Sequence, residues 1–176
     1  MVHPIQFTSS DPIVRKFDLD ELVIEPAHPD HGFALYSSLR EVDKAELGIA
    51  CSDGVEGAAR LADAIEHSDT TFVISDIHGF IHGVWGHGAT EENKGGINGY
   101  IWFLSDDYLL KRHGRAITRL TREYIFPAMD SLYGLYGNAM LSRNEVHKKW
   151  LTSAGFEERL EFIQRNRKMT LLLRGN

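Results

Sequence analysis

The chain has 176 residues, of which 43% are hydrophobic and 25% charged, enough apolar material for one compact core. Its formal net charge of −6 argues against a general nucleic-acid binder. No apolar run reaches the roughly 20 residues needed to span a bilayer, the N-terminus reads without the apolar core of a secretory signal, and the single cysteine, Cys51, leaves no internal disulfide framework.

Residues 1–20 read as an irregular lead-in. "ELVIEPA" (Glu21–Ala27) predicts a short strand stopped by Pro26 and Pro29. From Asp30 to Leu47 the apolar residues Phe33, Leu35, Tyr36, Leu39 and Val42 recur at helical spacing, with Gly48 as a stop. "VEGAARLADAIEHS" predicts a second helix, with Asp53 near its start and Val55, Ala58, Ala59, Ala62 and Ile65 on one face. The period then changes. "TTFVIS" (70–75), "GFIHGVWGH" (79–87) and "INGYIWFLS" (97–105) are β-branched and aromatic runs divided by turn residues, which predicts three consecutive antiparallel strands.

A long helix is expected from Asp107 to Leu132, with Leu110, Ile117, Leu120, Tyr124 and Met129 inward and a kink at Pro127. A strand "NAMLS" (138–142), a short helix within "SRNEVHKKWLTSAGF" and a hairpin of "FEERLEFI" and "KMTLLLR" complete the order. Ser142-x-x-Glu145 has the form of a capping box at the start of the short helix, and Asn144 stands equally well as a cap or as a ligand contact. Such interleaving predicts an α+β sandwich of the whole chain, 1–176: a mixed, mostly antiparallel sheet of six or seven strands flanked by about four helices. The strand–helix–strand step makes one neighbouring pair parallel, and such a pair can splay to leave a ligand-sized gap.

Lys111, Arg112, Arg115, Arg119 and Arg122 fall within twelve residues without an acid, so a local anionic ligand is expected rather than a polyanionic partner. Placed at the start of the long helix, "KRHGRA" would offer free backbone N–H groups, the positive end of the helix dipole, and a close approach at Gly114. The competing reading is a solvated basic face. His78, His82 and His87 match no familiar zinc spacing and read as strand or turn histidines, so no metal is expected. Asp76 and His82 are weak candidates for a general base.

Lys111-x-x-Gly114-x-Ala116 and Asn144-x10-Gly155-Phe156, set in this element order, resemble the GNAT superfamily of acyl-CoA-dependent N-acyltransferases. The resemblance implies acetyl-CoA or CoA bound in the splay between "GYIWFLS" and "NAMLS". Leu104 and Ser105 would lie at the thioester, Lys111, Arg112, His113, Gly114, Arg115 and Ala116 at the pyrophosphate, and Asn144 nearby. "PAHPDH", "WFLSDD" and "NEVHKKWLTSAGF" more narrowly resemble GNAT-like internal virion or head-assembly proteins of short-tailed bacteriophages. That likeness implies phage or host protein partners, and a place in the host cytoplasm or the virion. The usual proton-donating tyrosine, seven residues after the motif Asn, is here Leu151. The resemblance therefore implies a fold with weak or lost transfer; the alternative is an active N-acetyltransferase or effector acting on a host protein or small amine. Phe126, Tyr133 and Tyr136 are the aromatic candidates for a docking patch, or else close the core beneath the long helix.

Overall fold

The structure, a computed structural model, describes residues 16–50, 56–90 and 96–175. Cys51, Asp53 and Val55, and residues 1–15 of the expected lead-in, lie outside them. The strands are β1 (Leu22–Pro26), β2 (Thr70–Asp76), β3 (Ile81–Ala89), β4 (Gly99–Ser105), β5 (Leu135–Leu141), β6 (Glu157–Gln164) and β7 (Arg167–Gly175). The helices are α1 (Pro29–Tyr36), α2 (Glu41–Ala50), α3 (Gly57–His67), α4 (Asp107–Leu120), α5 (Phe126–Leu132) and α6 (Glu145–Ser153). All seven strands form one sheet in the order β1-β2-β3-β4-β5-β7-β6.

Every neighbouring pair is antiparallel except β4 and β5, as the crossover through α4 requires. That parallel contact is short: Gly99 faces Tyr136 and Tyr100 faces Gly137, and the strands then part. Gly137 is demanded here, because a Cβ would strike the Leu172 carbonyl on β7. From Ile101 to Ser105, β4 is paired only with β3.

Alternation along β4 divides the core between the two faces of the sheet. Ile101 and Phe103 enter the larger cluster with Leu109 and Ile117 of α4 and Leu151 of α6. Leu104 and the partly buried Trp102 join Leu35, Leu47, Leu61 and Ile65 from α1, α2 and α3 on the other face. Phe126, Tyr133 and Tyr136 are all buried in the larger cluster, so they close the core and form no docking patch. Phe17 and Leu19, within the expected lead-in, are buried there too.

Three elements differ from expectation. The helix expected over 30–47 is two, because the chain turns at Ser37–Arg40: Ser38 Oγ donates to the Leu35 carbonyl, and the Arg40 N–H donates across to Ser105 O on β4. Gly48 consequently sits inside α2 and stops nothing. The long helix is interrupted before its proline: Thr121–Ile125 is a π-helical turn in which the Phe126 N–H reaches back five residues to Thr121 O, and Pro127 falls in the first turn of α5, where its missing donor is tolerated. Finally, the cap of α6 is Asn144, while Ser142 Oγ pairs with Thr170 Oγ1 instead. The expected hairpin of β6 and β7 closes on Arg165 and Asn166, both at positive φ (47° and 57°), the pair of conformations a two-residue I′ turn needs.

Candidate functional site

Two cavities open on opposite faces of the β4–β5 splay, and Phe103 borders both. On the α4/α6 face is a cleft of about 600 Å³, walled by Gly114, Arg115, Thr118, Arg119 and Arg122 of the helical crossover and by Val146, Lys149 and Trp150 of α6. The Phe103 ring forms its floor, 5.5 Å from that of Trp150. Among the described residues neither Arg115 nor Lys149 has an acidic partner, while Arg119 and Arg122 reach Glu123 only loosely, at 3.9 and 3.6 Å. A Cβ placed on Gly114 would meet nothing within 4 Å, so ligand can approach the helix backbone there. This is a positively charged slot in an acidic protein, suited to a compact anion.

The remaining members of the basic segment do not join it. The helix starts at Asp107, as expected, and so ahead of "KRHGRA": Asp106 is the cap of α4 and its Oδ1 accepts the Leu109 N–H at 2.8 Å. Residues 111–116 therefore lie in the second and third turns, where amides serve the helix itself. The free N–H groups and dipole end lie instead at Asp106–Asp107, already served by a carboxylate. Lys111 pairs with Asp107 (3.1 Å) and Arg112 with Glu21 (3.4 Å), both outside the cleft. His113 is buried beside Tyr108 and Glu21, and burial pushes its pKa down. Ala116 packs on the core.

In the splay itself lies a buried polar network that the sequence reading missed. Arg40 grips Asp43 with two hydrogen bonds (3.0 and 2.6 Å) and lies 2.8 Å from His147 Nε2. Asp43 Oδ2 accepts the Ser105 N–H at 3.2 Å, Glu46 Oε1 accepts the Leu141 N–H at 3.1 Å, and Asn144 Nδ2 donates to Glu46 at 2.9 Å. The helix α2 thus bridges the ends of the two parted strands. Burial raises the Asp43 pKa despite the Arg40 charge, and pushes Glu46 up to about 7. Burial and the Arg40 charge push His147 down to about 3, so its ring is neutral. Asp43, Glu46 and His147 present atoms within 4.8 Å of one another, close enough for a metal ion, but the Arg40 guanidinium already supplies the positive charge there.

The sequence signal for this network was Arg40-x-x-Asp43-x-x-Glu46, charges at spacing that keeps one helix face. Such a pattern ordinarily marks a solvated face. Asn144 and Ser105 were foreseen as site residues, and Asn144 serves as cap and network member at once. Leu104 pairs with β3 opposite Val84, and the backbone groups of Ser105 are taken by the Arg40 N–H and by Asp43 of α2. Leu151 is wholly buried in the core, facing neither cavity.

Asp76 and His82 lie on the opposite side of β4 from the splay. His82 Nδ1 meets Asp106 Oδ2 at 2.7 Å, and its Nε2 is 3.5 Å from Asp76 Oδ2. Asp76 Oδ1 also accepts the N–H groups of His78 and Phe80; burial works to raise this carboxyl, but these amides and His82 together hold it below the usual range. The pair ties the β2–β3 turn to the start of α4.

No protein-family model matches the chain, and no curated protein matches it. Its fold is nevertheless that of the GNAT acetyltransferases. A GCN5-related N-acetyltransferase from Kribbella flavida superposes with a TM-score of 0.60 at 14% identity, over 89% of this chain and 99% of its own. The protein yncA from Salmonella typhimurium, solved with its cofactor acetyl-CoA, gives 0.56 at 14% identity, over 88% and 94%. AAC(6′)-Ib in complex with ribostamycin and coenzyme A gives 0.59 at 14% identity, over 89% and 94%.

Proposed function

We propose that this is a GNAT-fold protein that holds acetyl-CoA or CoA by its phosphate-bearing end in the α4/α6 cleft, with weak or lost N-acetyl transfer. The observation that carries the reading is that Arg115 and Lys149, without acidic partners among the described residues, both line a 600 Å³ cleft beside the open backbone of Gly114. The CoA species bound by similar folds supports the choice of anion. The residues suited to hold it are Gly114, Arg115, Arg119, Arg122 and Lys149. The bound group would supply a thioester. Two features weigh against efficient transfer: α2 occupies the strand ends at the splay, and position 151 carries a core leucine instead of a proton donor.

The likeness of "PAHPDH", "WFLSDD" and "NEVHKKWLTSAGF" to phage internal virion and head-assembly proteins supports a role in a phage particle or its assembly. An active acetyltransferase is the second reading, and Glu46 favours it. Its carboxyl, with a pKa pushed to about 7, borders the 370 Å³ cavity on the α3 face and is placed to take a proton from an amine.

A thermal-shift titration tests the cofactor. Acetyl-CoA should raise the melting temperature, by the equivalent of about 2.7 kcal/mol at a hundredfold excess over Kd. Arg115→Glu and Gly114→Asp should erase the shift. An unchanged melting curve for wild type at millimolar acetyl-CoA would refute it. Mass spectrometry of purified phage particles and assembly intermediates tests the phage role; presence in lysate alone would reject it.

A further inference from the structure

The geometry points to α2 as a displaceable plug: a built-in stand-in for the extended arm of the ligand, which must leave the splay before such an arm can run through it. The inference rests on the CoA-type reading above.

A parted pair of strands exposes backbone donors and acceptors along its inner edges, and buried ones must find partners. Here three of those at the two strand ends are served by α2 and the Arg40 that leads into it, while the Leu141 carbonyl accepts from the Asn144 N–H. The Ser105 carbonyl accepts from the Arg40 N–H, the Ser105 N–H donates to Asp43, and the Leu141 N–H donates to Glu46. An extended chain bearing amides offers the same kinds of group and would compete for the same three positions. Nor are the two cavities independent. Glu46 and Leu47 of α2 border the one on the α3 face, and His147, bonded to Arg40, borders the cleft. The Arg40–Asp43–Glu46 side chains stand between them, so withdrawing α2 joins donor cleft and opposite cavity into one passage past Phe103.

The plug is held by apolar contacts, Leu47 beside Leu35 and Leu61 and Ile49 beside Leu141 and Met169, and by a polar set. Arg40 and Asp43 are buried, and their partners on α6, Asn144 and His147, form a single connected set. A ligand group that took over the strand amides would release this set as a unit. Ser105 Oγ, wholly buried at the same strand end, has no hydrogen-bond partner among the described residues, leaving a donor there that α2 does not satisfy.

Hydrogen–deuterium exchange of the full chain with and without saturating CoA decides the matter. With CoA, amides of residues 41–50 should exchange about tenfold faster, while α3 stays unchanged and Ser105 and Leu141 remain protected. Asp43→Asn, which removes the charge gripping Arg40, and Glu46→Ala, which removes the acceptor for the Leu141 N–H, should bind CoA about tenfold more tightly than wild type. CoA bound in the cleft with α2 still protected, or with neither variant binding more tightly, would overturn the plug and leave the cofactor reading intact. Failure of wild type and both variants to bind CoA at all would overturn both. Exchange on wild type stands even where a variant fails to fold.

Discussion

At His147 both ring nitrogens face donors. Arg40 never gives up its protons, so Nε2 is the acceptor and the ring proton sits on Nδ1, which lies 3.3 Å from Asn144 Nδ2. The side-chain amide is oriented by Glu46, to which its Nδ2 donates, and by the cap, in which its Oδ1 accepts the His147 N–H. The sign of the linkage follows from the shift. Glu46 has an ordinary value of 4.5 and a folded value of about 7, so the folded state holds a proton the unfolded chain has lost. Its contribution to stability is full below about 4.5 and is lost as pH rises through about 7. His147 runs the other way: its folded value of about 3 is below 6.5, so its contribution is present above 6.5 and lost as pH falls toward 3. Between 4.5 and 6.5 the two oppose each other. Glu46→Gln removes one of them and should make stability climb with pH over that window, relative to wild type, with a limiting slope of about 1.4 kcal/mol per pH unit. Urea denaturation of both proteins at pH 5 and 6.5 measures the difference; parallel profiles would show that Glu46 titrates as an exposed carboxyl.

Among the elements, the meander, the crossover and the terminal hairpin were legible because each is announced by period and punctuation: alternating β-branched runs, a helical stripe through Ile117 and Leu120, and turn residues at Arg165–Asn166. One boundary was not, for a reason outside local pattern. The division between α1 and α2 is enforced by a bond from Arg40 to a strand sixty-five residues away. The start of α4 at Asp107 was legible, but with Asp106 as its cap the segment "KRHGRA" falls a turn inside the helix, which takes Lys111 and Arg112 away from the cleft. The cleft was half legible, through Gly114 and Arg115; its α6 wall and the plug depend on three-dimensional closure. The element α6 also settles the fate of position 151. Its Leu is fully buried, so Leu151→Tyr adds a ring and a hydroxyl to a packed core. The expected result is a loss of about 1–3 kcal/mol with no gain in acetyl transfer. A rate increase without destabilisation, read from parallel kinetics and melting, would mean that the side chain reaches the splay after all.

For the molecule as a whole, an open seven-stranded sheet leaves two edges, and each must be kept from pairing with a neighbouring chain. The edge at β1 is five residues long and ends in Pro26, which lacks a donor. The edge at β6 is eight residues long and almost wholly exposed, and it carries Leu160 and Ile163 at 56% and 69% exposure, an apolar content that invites association. What guards it is charge. Glu157, Glu158, Arg159 and Glu161 flank those residues, with Glu158 tied to Lys148 at 3.0 Å and Glu161 to Lys168 at 2.8 Å. Exposed ion pairs of this kind contribute little to folding stability, about 0–1 kcal/mol each, so their effect is on association. Replacing Glu158 and Glu161 together by Val strips the two ion-paired acids from the face opposite Leu172 and Thr170 while raising the strand's β propensity. The double variant should keep the fold and its melting temperature to within a few degrees, yet sediment as concentration-dependent oligomers where wild type does not. Equal sedimentation of the two proteins would show that the geometry of the β6–β7 hairpin, rather than its charge, protects the edge.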